Sequence, residues 1–137
     1  MTSTGSRIRL ALADDHLLFR KGLRALLGGF DNMDVIFEAS DGQELLESLD
    51  ALSNPPNVVL MDLQMPVLDG LQTTRLLRVQ YPQVRIVIIS MHDEPELMEQ
   101  LRLEGVHGYL LKNANPDEVR GAIEAAHSDE PYYARLS

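Results

Sequence analysis

The chain has 137 residues, enough for one domain with a full hydrophobic core, and 45% of them are hydrophobic, which excludes a disordered chain. It contains no cysteine, so disulfides and thiolate zinc sites are excluded. Its formal net charge of −9 argues against nucleic acid as a partner of this chain alone, because such affinity comes largely from basic residues.

The sequence shows no targeting or membrane segment. Residues 1–7 are polar and lack the apolar stretch of a signal peptide, and we expect this N-terminus to be disordered. No apolar run approaches the ~20 residues of a membrane span, so we expect a soluble, cytoplasmic protein without a membrane partner.

Strand-like and helix-like segments alternate along the chain, which predicts an α/β fold with right-handed crossovers. The strand-like segments are short, continuous apolar runs, as is typical of buried parallel strands. One domain is predicted over 8–127, and residues 128–137, which lack periodicity, are expected to begin a linker or tail. In chain order, the predicted elements are a strand at 8–13, a helix at 16–29, a strand at 33–39, a helix from 41, a strand at 57–61, a helix at 67–80, a strand at 85–90, a helix at 94–104, a strand at 107–111 and a helix at 115–127.

The helix boundaries carry recognisable signals. Residues 28–29 are glycines that end the first helix. Asp41 is a predicted N-cap of the second helix, and Glu44 has the spacing of a capping box. Asn115 is the predicted N-cap of the last helix, with Pro116 at its first position.

Lone polar residues stand where four of the apolar runs end. Asp14 and Asp15 follow the first run, Asp62 follows the third, Ser90 ends the fourth and Lys112 follows the fifth. Ligands of an open parallel sheet bind outside the carboxyl ends of its strands. Three carboxylates, a hydroxyl and an ammonium at that edge predict a site for phosphate and a divalent cation.

The chemistry of such a site follows from its charges. Adjacent carboxylates repel each other, and Mg²⁺, which prefers oxygen ligands, relieves the repulsion. Asp62 can act as a nucleophile towards a phosphoryl group, while Lys112 neutralises charge and Ser90 donates a hydrogen bond. Taken singly, each residue has an ordinary structural alternative: a helix cap and turn for Asp14 and Asp15, a loop residue for Asp62, a surface lysine and a strand-end serine.

Together the motifs resemble the receiver domain of bacterial response regulators, the CheY-like family. The resemblance covers about 8–127 and implies a flavodoxin-like (βα)5 three-layer sandwich with parallel sheet order 2-1-3-4-5. It implies a two-component switch, a signalling protein rather than an enzyme, whose partner is a sensor histidine kinase. The matching stretches are Ala13-Asp14-Asp15-His16, Met61-Asp62-Leu63-Gln64-Met65-Pro66 with Asp69-Gly70, Ile89-Ser90 and Gly108-Tyr109-Leu110-Leu111-Lys112.

The resemblance also implies the metal and phosphorylation roles. Asp62 would accept the phosphoryl group from a phosphohistidine of the kinase. Mg²⁺ would be bound by the side chains of Asp15 and Asp62 and by the backbone carbonyl of Gln64, with Asp14 acting directly or through water.

Further positions take roles from the same family. Lys112 would contact the phosphoryl group, and Ser90 and Tyr109 would form the switch pair, with Tyr109 turning inward after phosphorylation. The residues two after the phosphorylated aspartate and two after the switch serine, Gln64 and His92, would line the path of the water that removes the phosphoryl group.

The sequence Asp14-Asp15-His16 and the run from Gly108 to Lys112 resemble the subfamily with a C-terminal LuxR-type helix-turn-helix. Because this chain stops before such a domain could fit, we expect DNA to be a partner only of a longer protein that controls transcription. A phosphorylation-dependent homodimer is a further expected partner. Asn113 stands where many relatives have proline, which leaves the conformation of the Lys112–Asn113 bond open.

Three other functions remain as alternatives at this point. A small phosphatase of the haloacid dehalogenase type would need a second aspartate two residues after Asp62, where this chain has Gln64. A flavin-binding module would need a phosphate loop rich in serine, threonine and glycine after the first strand, where Asp14 and Asp15 would repel phosphate. A degenerate receiver that only binds partners would not need the intact acidic set.

Overall fold

The computed structural model describes residues 7–134 and contains one six-stranded parallel sheet, in the order β2-β1-β3-β4-β5-β6, with five helices. The predicted order 2-1-3-4-5 is confirmed, and a sixth strand extends it. The strands are β1 Ile8–Ala13, β2 Met33–Ala39, β3 Val58–Met61, β4 Arg85–Ser90, β5 Gly108–Leu111 and β6 Tyr132–Tyr133, and the helices are α1 Leu17–Gly28, α2 Gly42–Asp50, α3 Gly70–Gln80, α4 Pro95–Leu103 and α5 Pro116–His127.

The apolar runs form central strands because both faces of the sheet are covered. Alternate side chains of β1 illustrate the division: Ala11 and Ala13 pack into one cluster with residues of α2, α3 and α4, whereas Leu10 and Leu12 pack into another with residues of α1 and α5. Burial on both faces explains why the strands read as continuous hydrophobic runs instead of alternating with polar residues.

The capping signals place most helix starts correctly. The Asp41 side chain accepts a hydrogen bond from Glu44 N–H at 2.8 Å, and Asn115 and Glu118 form a full capping box. The prediction that the third helix starts at 67 is wrong, because Asp69 caps it with Gln72 and it begins at Gly70.

The segment after α5 folds back onto the sheet. Asp129 adopts a left-handed conformation, with φ of 59°, and Glu130 N–H donates to the carbonyl of Ala125 at 2.7 Å, so the chain reverses direction there. The following residues run parallel to β5, and Ala134 N–H donates to the carbonyl of Tyr109 at 2.8 Å. The segment expected to begin a linker thus includes the edge strand β6, Tyr132–Tyr133.

Residues 1–6 and 135–137 lie outside the described part of the chain, and most of the predicted disordered N-terminus falls there. Arg7, the first described residue, forms an ion pair with Asp34 at 2.8 Å. Between residues 7 and 134 there is no helix long and apolar enough to cross a bilayer.

Candidate functional site

The fold brings the predicted polar residues to one edge of the sheet. Asp14 and Asp62 directly follow β1 and β3, and their backbone N–H groups continue the strand hydrogen bonds by donating to Ala39 and Ala13. Carboxylate oxygens of Asp14, Asp15 and Asp62 lie within 4.8 Å of one another. Asp14 and Asp62 are buried and Asp15 is exposed, so the acidic cluster opens to solvent on one side.

Lys112 joins this cluster from β5. Its Nζ lies 2.9 Å from Asp14 Oδ2 and donates a hydrogen bond to Asp62 Oδ2 at 3.2 Å. The ammonium also lies 4.5 Å from the centroid of the Phe19 ring, a cation–π contact that holds the side chain from the α1 side. A half-buried lysine therefore bridges two of the three carboxylates.

The charges of the cluster perturb one another. Burial raises the pKa of Asp62, and the nearby charge of Asp14 raises it further, while Lys112 partly opposes both effects. Burial lowers the pKa of Lys112, but its contacts with Asp14 and Asp62 outweigh burial and raise it overall. The ammonium is therefore held charged, and the ionised form of Asp62 is destabilised until more positive charge arrives.

The acidic cluster has the chemistry of a magnesium site. Its donors are oxygens, with no thiolate or imidazole among them, which suits a hard cation. Asp14 Oδ1 accepts a hydrogen bond from His16 N–H at 2.8 Å, and the buried Asp14 Oδ2 faces the Lys112 ammonium at 2.9 Å. The carboxylates of Asp14, Asp15 and Asp62 thus fit a divalent ion.

The predicted switch residues lie beside the acidic cluster. Ser90 and Tyr109 are both fully buried, and Ser90 Oγ accepts a hydrogen bond from His92 N–H at 3.0 Å. The Tyr109 hydroxyl donates to the His92 carbonyl at 2.6 Å. Tyr109 was expected to turn inward only after phosphorylation, but it already occupies the inward position here, because its hydroxyl finds an acceptor in the β4–α4 loop.

Gln64 and His92 line a cavity of about 640 Å³ beside the acidic cluster, together with Asp15 and Glu94. Gln64 is exposed, and His92 Nδ1 lies 3.0 Å from Glu94 Oε1. The Lys112–Asn113 peptide, left open by the sequence, is trans, as is every peptide bond of residues 7–134.

Sequence reasoning missed Arg20. Its guanidinium donates to the carbonyl of Asp14 at 2.6 Å and to Glu38 Oε1 at 2.9 Å. The available signal was a positive charge in the first turn of a helix, where the helix dipole disfavours it and some other interaction must compensate.

The chain is similar to known proteins over most of its length. Residues 10–124 match the family model of the response regulator receiver domain. The chain is 38% identical over 128 residues to the transcriptional regulatory protein MctR of Rhizobium johnstonii, covering 93% of this chain and 59% of that protein. It is 36% identical over 127 residues to the response regulator UvrY of Escherichia coli K12, covering 93% of this chain and 57% of the relative. The chain therefore spans somewhat more than half the length of these relatives.

A solved receiver-domain structure has a similar fold. The signal receiver domain of NarL from Mycobacterium tuberculosis aligns with a TM-score of 0.83 and 34% identity. The alignment covers 90% of this chain and 98% of that domain.

Proposed function

We propose, from the premise that this chain belongs to the response regulator receiver family, that Asp62 accepts a phosphoryl group from the phosphohistidine of a sensor kinase. The family makes the chain the receiver of a two-component system, a signalling switch. Beyond family membership, we propose the acceptor residue, the need for Mg²⁺ and the conformational response.

The transfer requires few protein groups. A carboxylate oxygen of Asp62 bonds to phosphorus as the bond between phosphorus and the kinase imidazole breaks, and the imidazole nitrogen leaves with the electron pair and takes up a proton. Lys112 neutralises charge on the phosphoryl oxygens, and Ser90 donates its hydroxyl to one of them. Such transfer depends mainly on positioning and neutralisation.

A bound Mg²⁺ would neutralise the acidic cluster and the incoming phosphoryl oxygens. The side chains of Asp14, Asp15 and Asp62 and the backbone carbonyl of Gln64 are the proposed ligands. The proximity of the Asp14 carboxylate to those of Asp15 and Asp62, within 4.8 Å, supports Asp14 as a ligand, directly or through water.

One observation carries the proposal: Lys112 lies within 3.2 Å of two buried carboxylates on neighbouring strands. Burial of charge is unfavourable unless it is used or paired. This cluster leaves an excess of negative charge at an edge that is open to ligand, as a phosphoryl acceptor with a metal cofactor requires.

The test is incubation with acetyl phosphate and Mg²⁺, followed by intact mass measurement. We expect the wild type to gain the mass of one phosphoryl group, Asp62→Asn to gain none, and Asp15→Ala to lose labelling together with Mg²⁺ affinity. Asp93→Asn, which changes an exposed carboxylate near the same edge, is the matched control and should label normally. Persistent labelling of Asp62→Asn would reject the acceptor, and an unlabelled wild type would favour a receiver that only binds partners.

The output and the partners belong to the same proposal. Relatives of this chain carry names of transcriptional regulators and response regulators, which supports control of transcription by a longer protein through DNA. A sensor histidine kinase and a phosphorylation-dependent second copy of the chain are the proposed protein partners, and the cytoplasm is the proposed compartment.

A further inference from the structure

Arg20 makes an unusual set of contacts for a residue in the first turn of a helix. One guanidinium nitrogen donates to the carbonyl of Asp14 at 2.6 Å and lies 3.3 Å from both the carbonyl of Ala39 and Ser40 Oγ. Its Nε donates to Glu38 Oε1 at 2.9 Å. The Arg20 side chain is only 13% exposed, so these contacts are shielded from water.

These acceptors lie at the carboxyl ends of two neighbouring strands. Ala39 is the last residue of β2, and its carbonyl also accepts the backbone N–H of Asp14. The carbonyl of Asp14 belongs to the peptide that links Asp14 to Asp15. Arg20 therefore fixes the orientation of the peptide between two proposed metal ligands.

Glu38 sets the position of Arg20 in turn. Its carboxylate binds Arg20 through Oε1 and Arg24 through Oε2, and its side chain is 19% exposed. A planar guanidinium can serve a carboxylate and a carbonyl at fixed angles at the same time, which a lysine ammonium cannot do as rigidly.

We propose that Arg20 is a positioning residue of the acidic site, which holds the Asp14–Asp15 peptide so that both carboxylates can bind the divalent ion. This inference rests on the proposed function. Arg20 acts through the backbone of the ligands and touches neither ion nor phosphoryl group. Groups that orient metal ligands from behind typically contribute about 10- to 100-fold to metal affinity.

The chain offers a matched control one helical turn away. Arg24 also binds Glu38 but is 51% exposed and makes no contact with Asp14 among the described residues. Arg20→Gln and Arg24→Gln remove the same charge from the same helix, and only the first removes the bond to the Asp14 carbonyl.

The experiment measures Mg²⁺ binding directly, by titration of the backbone amide shifts of Asp15 and Asp62 in ¹⁵N NMR spectra. We expect the Mg²⁺ dissociation constant to rise about tenfold in Arg20→Gln and to stay within about twofold of wild type in Arg24→Gln.

Arg20→Lys keeps the charge and serves as a second variant in case Arg20→Gln does not fold. Circular dichroism shows whether each variant is folded. Arg20→Lys should recover only part of the lost Mg²⁺ affinity. Wild-type Mg²⁺ affinity in the folded Arg20 variants, or an equal loss in Arg24→Gln, would overturn the inference. A wild type that shows no Mg²⁺-dependent shifts would instead reject the proposed function.

Discussion

The hydroxyl of Tyr109 donates a hydrogen bond to the carbonyl of His92 at 2.6 Å. The backbone N–H group of His92 donates a hydrogen bond to Ser90 Oγ at 3.0 Å. One residue of the β4–α4 loop therefore connects the buried hydroxyls of two neighbouring strands. A change at the Ser90 hydroxyl can reach Tyr109 through the backbone of His92, a physical connection between the acidic edge and the α4–β5–α5 face.

Tyr109→Phe tests the inward position of the tyrosine. We expect this substitution to lower the free energy of unfolding by about 1 kcal/mol, because the His92 carbonyl loses its donor while the ring stays packed. Urea unfolding followed by circular dichroism measures the change. An unaltered midpoint would show that the hydrogen bond does not stabilise the fold with Tyr109 inward.

Beryllofluoride, which mimics a phosphoryl group, tests the route of the signal. With Tyr109 already inward, we expect the Ser90 hydroxyl to move towards the mimic and the β4–α4 loop to follow. NMR shifts should change at Met98, Leu101 and Tyr109, and Ser90→Ala should weaken them. Shifts confined to the phosphorylation loops would mean that the signal leaves by another route, such as the face formed by α1 and α5.

The lifetime of the phosphorylated state should depend on Gln64 and His92. Both line the cavity beside the acidic cluster, and His92 is oriented by Glu94 at 3.0 Å. We predict that Gln64→Ala and His92→Ala each change the rate of dephosphorylation several-fold without preventing labelling, as is common when water access to a reacting bond changes. The decay of labelled protein with time measures the dephosphorylation rate. Met91→Ala, which changes an exposed residue, is the control. Unchanged decay in both variants would contradict the prediction.

Asp62→Asn should stabilise the folded protein in the absence of divalent ions. Burial and the Asp14 charge raise the pKa of Asp62, so the folded state retains a proton there at pH values where the unfolded chain has lost it. The ionised carboxylate therefore destabilises the fold at neutral pH. The advantage of the asparagine variant should shrink as pH falls through the raised pKa towards the ordinary value of 3.8. Urea unfolding across this pH range measures it.

The exposed carboxylate Asp31 supplies the control for that measurement, since it lies in the turn before β2, at the opposite end of this strand from the acidic cluster. Asp31→Asn should show no such gain at neutral pH. A destabilised Asp62→Asn would mean that Lys112 compensates the buried charges fully.

Two adjacent threonines of α3 should respond in opposite directions. The Thr74 hydroxyl is buried and has no hydrogen-bond partner among residues 7–134, so Thr74→Val should raise the free energy of unfolding by about 1 kcal/mol. The Thr73 hydroxyl donates to the carbonyl of Asp69 at 2.7 Å, so Thr73→Val should lower it by about 1 kcal/mol. Equal effects in thermal unfolding would contradict the assignment of the unpaired hydroxyl.

Gly70 should tolerate no side chain. A Cβ there would lie 2.6 Å from the Asp62 carbonyl oxygen and 2.8 Å from Leu63 Cα, both backbone atoms. Gly70→Ala should therefore cost about 1–3 kcal/mol and slow labelling by displacing Asp62. Gly22→Ala is the control, because a Cβ at this position meets nothing within 4 Å. This substitution should stabilise α1 by about 0.5–1 kcal/mol.

Most of the fold could be predicted from the sequence because both local signals and hydrophobic runs agree with it. The strands from 8–13 to 85–90 are long enough for their apolar runs to identify them, and parallel strands place Asp14, Asp62 and Lys112 at one edge. β6 could not be predicted, because two tyrosines show no periodicity and their pairing with β5 depends on the reversal at Asp129.

Side-chain placement was harder to predict than backbone topology. The inward position of Tyr109 depends on a carbonyl 17 residues away, and Arg20 binds acceptors on two strands that only the folded sheet brings together. The third helix starts at Gly70 because Asp69 and Gln72 form a capping box, and Val67, with φ of 67°, cannot be part of the helix.

Lys112 gives the acidic cluster a cation that is covalently part of the protein. Its ammonium lies within 3.2 Å of Asp14 and Asp62, so a divalent ion arriving there does not meet bare carboxylates. Binding of the proposed metal would then be an exchange of counterions, in which a diffusible cation competes with a tethered one. This competition would weaken the attraction for the metal and favour reversible loading, and the tethered ammonium would stay close enough to meet the phosphoryl oxygens of the proposed transfer.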